Sequence, residues 1–155
     1  MLTAIIIAAA LELITIPLFG LLSDLVGRRP VYLFGAISAG IFAYPLFWML
    51  DTGSPIFVRL ALIIGLSISH AAMYAPQGAF FSELFGARVR YSGASLGVQL
   101  ASVLAGGVAP ILATALLKYG YGRGALAIYV AIMAFITTVS VFVATETVRH
   151  DIERM

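Results

Sequence analysis

The sequence predicts an all-α, polytopic membrane helix bundle with five transmembrane helices. Its 155 residues are 62% hydrophobic and 10% charged, and the mean hydropathy is +1.07, which leaves too little polar surface to cover a soluble globule. About 20 apolar residues cross the hydrocarbon core of a bilayer at 1.5 Å each, and five runs of that length lie between the charged residues. The connections are short, so residues 1–155 form a single membrane domain.

Each predicted helix is an apolar run bounded by charged or turn-forming residues. The first contains Glu12 as its only charge, and the second is uncharged and ends near Trp48. The third has Arg59 near its start and His70 at mid-depth, the fourth is rich in small residues, and the fifth is uncharged. The tail from Glu146 onward is predicted to be a solvated end. The helices cover about residues 1–22, 31–50, 56–82, 92–117 and 125–145.

The basic residues predict the orientation of the bundle. Six of them fall on one side of the predicted membrane and three on the other, so the first side and the C-terminus are expected to be cytoplasmic. The use of eight Arg and one Lys is compatible with a bacterial inner (plasma) membrane protein. Because the charges lie in separate loops, they do not indicate nucleic-acid binding. The two sets are Arg28, Arg29, Arg88, Arg90, Arg149 and Arg154, against Arg59, Lys118 and Arg123.

Polar side chains recur on one face of three of the helices. At roughly 100° per residue the polar residues of the third helix share a face, as do those of the fourth, and Glu12 and Thr15 are one turn apart on the first. Helices that line an aqueous passage carry such stripes, so we expect the first, third and fourth helices to line one. The longer stripes are Arg59, Ser67, His70, Tyr74 and Gln77, and Ser92, Ser95, Gln99 and Ser102.

Several of these residues have two possible roles. Glu12 could exchange protons or face a substrate, or it could be a protonated, hydrogen-bonded packing acid. His70 could pass a proton or bind a carboxylate, or it could be a neutral histidine bonded to a neighbouring helix. The glutamine amides could bind substrate or join helices, and Arg59 fits snorkelling to the surface better than an anion site. The candidate substrate and proton pathway is Glu12, His70, Tyr74, Gln77 and Gln99.

A charged segment between the first two apolar runs has a recognisable spacing. Gly20, Asp24, Gly27, Arg28 and Arg29 form the pattern G-x-x-x-D-x-x-G-R-R, predicted as a tight charged loop. The pattern resembles the cytoplasmic loop signature of the major facilitator superfamily, which follows the second helix of a three-helix unit. A basic residue usually follows the aspartate in that family, whereas this chain has Leu there, as in the degenerate copy in the second half of such transporters. The resemblance implies a gating role for this loop.

A second segment, from residue 81 to residue 97, resembles the third-loop region of one branch of that superfamily, the metabolite:proton symporters. That branch includes permeases for shikimate, 2-oxoglutarate and proline or betaine. The motif carries Glu83, Arg88 and Arg90, and His70 and Gln77 precede it. The resemblance covers nearly the whole chain and aligns it with the last five of twelve helices.

The resemblance implies alternating access of two helical bundles, driven by a proton. Asp24 would accept hydrogen bonds from a helix N-terminus in the other bundle, and Arg28 and Arg29 would pair with inner-face acids such as Glu83. The expected partners are the lipid bilayer, a small organic acid or zwitterionic metabolite, a proton, and a missing N-terminal bundle. We therefore expect a C-terminal fragment of a symporter that is inactive alone and needs no cofactor or metal.

Two other classes of protein compete with this interpretation. A non-transporting membrane protein, a subunit or a truncated remnant would have the same helices without needing the polar stripes. A membrane enzyme would need a converging catalytic set, and Ser95 and His70 are its only candidates. The run from Gly93 to Gly97 matches the G-x-S-x-G elbow, but that motif requires a strand, a turn and a helix, so close helix packing is favoured and an enzyme is not predicted.

Overall fold

The computed structural model describes residues 2–86 and 88–147, and no strand occurs within them. Five helices in this part of the chain are long and apolar enough to cross a membrane, which confirms the predicted all-α membrane bundle. Arg149 and Arg154, which contribute to the predicted orientation, lie outside the described residues. We call the helices first to fifth in chain order: Leu2–Val26, Arg28–Asp51, Pro55–Glu83, Arg90–Lys118 and Gly122–Val143.

The charged segment predicted as a loop is almost entirely helical. The first helix continues to Val26 and the second begins at Arg28, so only Gly27 leaves the helical conformation. Gly27 has φ of +123°, a value that L side chains rarely adopt. Pro30 lies in the first turn of the second helix, where its missing N–H is tolerated. The first two helices therefore extend past their apolar runs into the interface, whereas the fifth ends at Val143, before the predicted end at residue 145.

The second helix is the centre of the bundle. It contacts the first, third and fifth helices. Near its N-terminal end, Tyr32 packs with Phe80 of the third helix and Val141 of the fifth, and all three are buried. The Tyr32 ring lies 6.0 Å from the Phe80 ring and 6.1 Å from the Phe81 ring. This aromatic cluster fixes one end of three helices against each other.

Small residues allow the second and third helices to approach closely. A Cβ atom built on Gly35 would lie 2.6 Å from Cγ of Met73 and 2.9 Å from the carbonyl oxygen of Ser69. Close by, the Ser38 hydroxyl lies 3.0 Å from the Ser69 hydroxyl and donates to the Gly35 carbonyl at 2.9 Å. Small residues and interhelical hydroxyl bonds are the usual means of helix association in lipid, where burial of apolar surface gives little driving force.

The third helix contains a π-helical segment, Gly65–His70, in its middle. The wider turn changes the direction of side chains on either side, so the polar stripe predicted for this helix is not continuous. Ser67 is buried and donates to the carbonyl of Ala8 on the first helix at 3.3 Å. His70, three residues later, is exposed. The predicted stripe is therefore divided between an interhelical contact and an exposed surface.

The fourth helix contacts only the third and fifth among the helices in the described residues. None of its described side chains is buried. Its exposed surface includes the predicted polar residues Ser95, Gln99 and Ser102. A face this long and open can be covered by lipid or by further helices.

We predict that Gly35→Ala destabilises the bundle, because the added methyl group meets the backbone and the Met73 side chain at the closest helix crossing. Overpacking of this kind costs about 1–3 kcal/mol. Thermal unfolding of the chain in detergent or bilayer measures the change. Gly78→Ala is the matched control, since a Cβ there meets nothing within 4 Å. An unfolding temperature for Gly35→Ala equal to that of the control would contradict the close approach.

Candidate functional site

Two polar residues from the predicted pathway meet in the middle of the bundle. Nδ1 of His70 lies 2.7 Å from Oε1 of Glu12, a hydrogen-bond distance that becomes an ion pair when the imidazole is protonated. Glu12 is near the middle of the first helix and His70 near the middle of the third. The side chain of Glu12 is 19% exposed and that of His70 is 47% exposed. The pair is therefore held between two helices and faces the open side of the bundle.

Tyr74 and Thr15 adjoin this pair along their helices. Tyr74, one turn after His70, stacks on the imidazole with ring centroids 5.4 Å apart and an interplanar angle of 22°. This stacking limits rotation of the imidazole and orients Nδ1 toward Glu12. Thr15, one turn after Glu12, has a buried hydroxyl without a hydrogen-bond partner in the described residues. It lines a groove with Ser67 of the third helix.

The structure does not bring the other candidate side chains to the pair by direct contact. Gln77 is partly buried on the third helix, and Gln99 is exposed on the fourth. Neither amide makes a hydrogen bond within residues 2–86 and 88–147. Ser95, the candidate nucleophile, is exposed on the fourth helix and has no hydrogen bond to His70, whose polar partner is Glu12. The contact required by the enzyme interpretation is thus missing from the described part of the chain.

The Glu12–His70 contact lowers the free-energy cost of placing a carboxylate at bilayer depth. A carboxylate at bilayer depth costs roughly 2.5–3.5 kcal/mol on insertion scales, and a protonated imidazole hydrogen-bonded to it offsets part of that cost. Histidine is the side chain that most readily changes charge near neutral pH. The pair can accept a proton without creating a second unpaired charge. This arrangement suits proton exchange, and it also suits binding of an anion once the pair is protonated.

A second polar cluster lies at the end of the bundle where the second helix begins. Arg28 forms an ion pair with Asp24, and its Nη1 donates to the Ser23 hydroxyl at 2.9 Å. Its Nη2 lies 3.7 Å from Oε1 of Glu83 on the third helix. The Arg28 side chain is 17% exposed, whereas that of Asp24 is 55% exposed. Arg28 thus joins the first and third helices, and Asp24 presents its carboxylate outward.

Glu146 is the main residue that the sequence interpretation missed. Its Oε1 accepts the backbone N–H of Arg28 at 3.0 Å, and its Oε2 accepts that of Arg29 at 3.1 Å. These are free N–H groups in the first turn of the second helix, where a negative charge is also favoured by the helix dipole. The tail was predicted to be solvated from Glu146 onward, but Glu146 is partly buried and Thr147 is buried and donates to Glu83.

The sequence contains features that predict the capping of the second helix by Glu146. The second helix has no side-chain cap of its own, because Gly27 precedes it. An acid directly after the fifth apolar run, on the same predicted side as the two arginines, is the natural replacement. A Cβ on Gly27 would lie 2.6 Å from Oε2 of Glu146, so glycine is also what allows the carboxylate to approach.

The remaining basic residues of this end differ in their surroundings. Arg29 donates through Nε to the carbonyl of Val141 at 3.1 Å, and its guanidinium lies 5.0 Å from the Phe142 ring centroid. It therefore satisfies the C-terminal carbonyls of the fifth helix. Arg90 donates to the carbonyl of Phe85 at 3.4 Å, and Arg88 is exposed in the connection between the third and fourth helices.

Comparisons with known proteins cover almost all of the chain. A family model for the Major Facilitator Superfamily matches residues 1–154. The shikimate transporter of Escherichia coli K12 is 35% identical over 144 residues, which are 92% of this chain and 33% of that protein. The inner membrane metabolite transport protein YhjE of the same organism is 39% identical over 141 residues, 89% of this chain and 31% of that protein.

A citrate-proton symporter of Klebsiella pneumoniae is 32% identical over 104 residues, 67% of this chain and 23% of that protein. No solved structure matches the chain. The chain spans about a third of the length of the curated relatives it matches.

We predict that Glu146→Gln lowers the free energy of unfolding, because two backbone donors lose a charged acceptor. Hydrogen bonds to charged groups contribute about 1.5–3 kcal/mol. Asp24→Asn, which alters the more exposed ion pair, should cost no more than about 1 kcal/mol. Denaturant unfolding in detergent compares the two variants. Equal losses would contradict the capping role of Glu146.

Proposed function

The chain belongs to the major facilitator superfamily, and we propose that it forms the last five helices of a proton-coupled symporter for a small organic acid or zwitterionic metabolite. The observation that carries this proposal is the Glu12–His70 hydrogen bond at mid-depth in the bundle. Transport would proceed by alternating access between this bundle and a second one. The chain is multi-pass in the inner membrane, and we propose that its C-terminus is cytoplasmic.

Proton coupling follows from the charges at the pair. A pair with an ionised Glu12 and a neutral His70 would repel an anionic substrate. Protonation of His70 gives a neutral ion pair, and a substrate carboxylate can then accept a hydrogen bond from Nε2, the imidazole nitrogen opposite Glu12. A proton and an anion that load together add no net charge to a site in hydrocarbon, so the bundles can change access with both bound without burying an additional net charge.

The neighbours of the pair supply groups suited to a small polar substrate. The Tyr74 hydroxyl and the Gln77 and Gln99 amides can donate and accept hydrogen bonds. Gln99 and Tyr74 are exposed in the described part of the chain. We propose that their exposed surfaces face the passage. The named substrates of similar proteins, shikimate and citrate, are organic acids, which supports that substrate class.

The polar cluster around Arg28 would control access to the passage from that end of the bundle. Arg28 joins the first and third helices through Asp24 and Glu83, and Glu146 joins the second helix to the segment after the fifth. These contacts make one end of the bundle a rigid unit. The more exposed Asp24 carboxylate would then accept hydrogen bonds from the N-terminus of a helix in the opposing bundle and hold that end closed.

The connection between the third and fourth helices would also help to hold this end of the bundle closed. Glu83 contacts both Arg28 and Thr147, and the turn after it carries the exposed Arg88 and the partly buried Arg90. Arg88 is free to reach an opposing acidic group when the bundles approach. The segment thereby connects the third and fourth helices to the movement of the proposed gate.

We predict that Glu12→Gln and His70→Ala lower proton-driven uptake about 10- to 100-fold, the equivalent of one lost charged hydrogen bond. The variants are made in a chain carrying both bundles, and uptake of labelled organic acids is measured in proteoliposomes with and without a pH gradient. Thr137→Val is the control, since that hydroxyl bonds only to its own helix, at the carbonyl of Met133. Unchanged acceleration by the gradient in both variants would exclude the pair from coupling.

Asp24→Asn is expected to slow the conformational cycle without removing coupling. Substrate exchange measured at equal pH on both sides should fall several-fold, while the ratio of accumulation to the pH gradient stays the same. A loss of coupling with normal exchange would assign Asp24 to the proton pathway instead of the gate.

We predict that the purified 155-residue chain alone does not accumulate substrate in liposomes, because half of the passage would come from helices outside it. Robust proton-coupled uptake by this polypeptide would contradict that statement.

Reading the DNA upstream of the Met1 codon separates two sources of the chain. A coding stretch for seven further helices supports a transporter segment, whereas a promoter directly upstream supports a short protein in its own right.

A further inference from the structure

A cavity at the end of the bundle opposite Glu146 combines aromatic rings with a carboxylate. Its volume is about 90 Å³, and it lies between the last turns of the second helix and the first turns of the fifth. It is distinct from the Glu12–His70 pair, which lies between the first and third helices. The lining residues are Tyr44, Phe47, Trp48, Asp51, Gly124 and Ala127.

The charges at this cavity have a definite arrangement. Asp51, the last residue of the second helix, forms an ion pair with Arg123 near the start of the fifth. The recorded contact uses Oδ1 of Asp51 and Nη1 of Arg123. Both side chains are about half exposed, and their contact uses one carboxylate oxygen and one guanidinium nitrogen, which leaves further polar atoms for a ligand. The negative carboxylate of Asp51 and the positive guanidinium of Arg123 therefore lie next to each other at the rim of the cavity.

The helix ends reinforce this arrangement. The C-terminal end of the second helix carries a partial negative charge and the N-terminal end of the fifth a partial positive charge. Trp48 and Tyr44 are 57% and 69% exposed, and Trp48 packs edge-on against Phe57 with centroids 6.2 Å apart. Rings held in this way attract a cation through their faces. The site thus favours an ammonium group at Asp51 with an anionic group next to it at Arg123.

We propose that this cavity binds the headgroup of a zwitterionic, ethanolamine-type membrane phospholipid. The lipid ammonium would donate to the second oxygen of Asp51 against the faces of Trp48 and Tyr44, and its phosphate would accept from Arg123. A cavity of about 90 Å³ is small and suits an aminoethyl group better than an acyl chain. The phosphate stays outside, beside Arg123.

The position in the fold favours a lipid over a soluble amine. Transmembrane helices end at the membrane–water interface, where Trp and Tyr are enriched and where headgroups are held at high local concentration. Asp51 and Arg123 are both at helix ends, and the exposed faces of Tyr44 and Trp48 lie one to two turns from those ends. A headgroup reaches this depth while its chains remain in the bilayer.

The test measures which lipid the intact chain retains. The protein is extracted from bilayers of equal parts phosphatidylethanolamine, phosphatidylcholine and phosphatidylglycerol, and the bound lipids are counted by native mass spectrometry. We expect enrichment of phosphatidylethanolamine over phosphatidylglycerol, lowered roughly 3- to 30-fold by Trp48→Leu and by Asp51→Asn. Tyr119→Leu is the matched control, since Tyr119 is exposed at the same end but does not line the cavity. Circular dichroism confirms that each variant is folded.

Three results would overturn the proposal. Equal retention of the three lipids by the unmodified chain would remove the headgroup preference. Equal loss of preference in the Tyr119→Leu control would assign it to the general aromatic belt. Displacement of the lipid by millimolar soluble phosphoethanolamine would indicate that the site takes a free metabolite and not a membrane lipid. Retained preference in the control together with its loss in Trp48→Leu and Asp51→Asn supports the site.

Discussion

A polar group inside the hydrocarbon core of a membrane has no water to bind, so it needs a partner within the protein. This constraint accounts for where the chain places its charge. In the described residues the ion pairs occur at three levels: Glu12 with His70 at mid-depth, Arg28 with Asp24 and Glu83 at one end, and Asp51 with Arg123 at the other. Between these levels, the helices associate through small residues and serine hydroxyls.

The three levels differ in how much each restricts the bundle. At the end with Arg28, backbone donors, carboxylates and an aromatic cluster connect the first, second, third and fifth helices. At mid-depth, two hydrogen bonds join the first helix to the third, His70 to Glu12 and Ser67 to the carbonyl of Ala8, and both donor residues belong to the π-helical segment Gly65–His70. π-helical turns are frequent at functional sites, since their looser hydrogen bonding permits a local change of direction. The Glu12–His70 contact therefore lies in a segment whose backbone permits a local change of direction.

The sequence was sufficient for the number and positions of the helices, because twenty-residue apolar runs leave few alternatives in lipid. It also predicted Glu12 and His70 as pathway residues, since charges at bilayer depth are rare and costly, and that role stays a prediction. The charged segment around Asp24 was predicted as a loop because its composition is polar, but interfacial water lets a polar segment remain helical, and only Gly27 breaks it. The π-helical turn and the capping by Glu146 depend on contacts between distant residues, which periodicity along one helix does not contain.

The proton pair can be observed directly in the chain as it stands. Infrared difference spectra of the protein in bilayers, recorded between acidic and neutral pH, report the protonation of carboxyl groups. We expect the carboxylate band of Glu12 to shift between the two pH values, to disappear in Glu12→Gln and to lose its pH response in His70→Ala, because the proton binds the imidazole that is hydrogen-bonded to this carboxylate. A Glu12 carboxyl that stays protonated at every pH tested, with no response to His70→Ala, would show a buried packing acid and contradict a proton-coupling role.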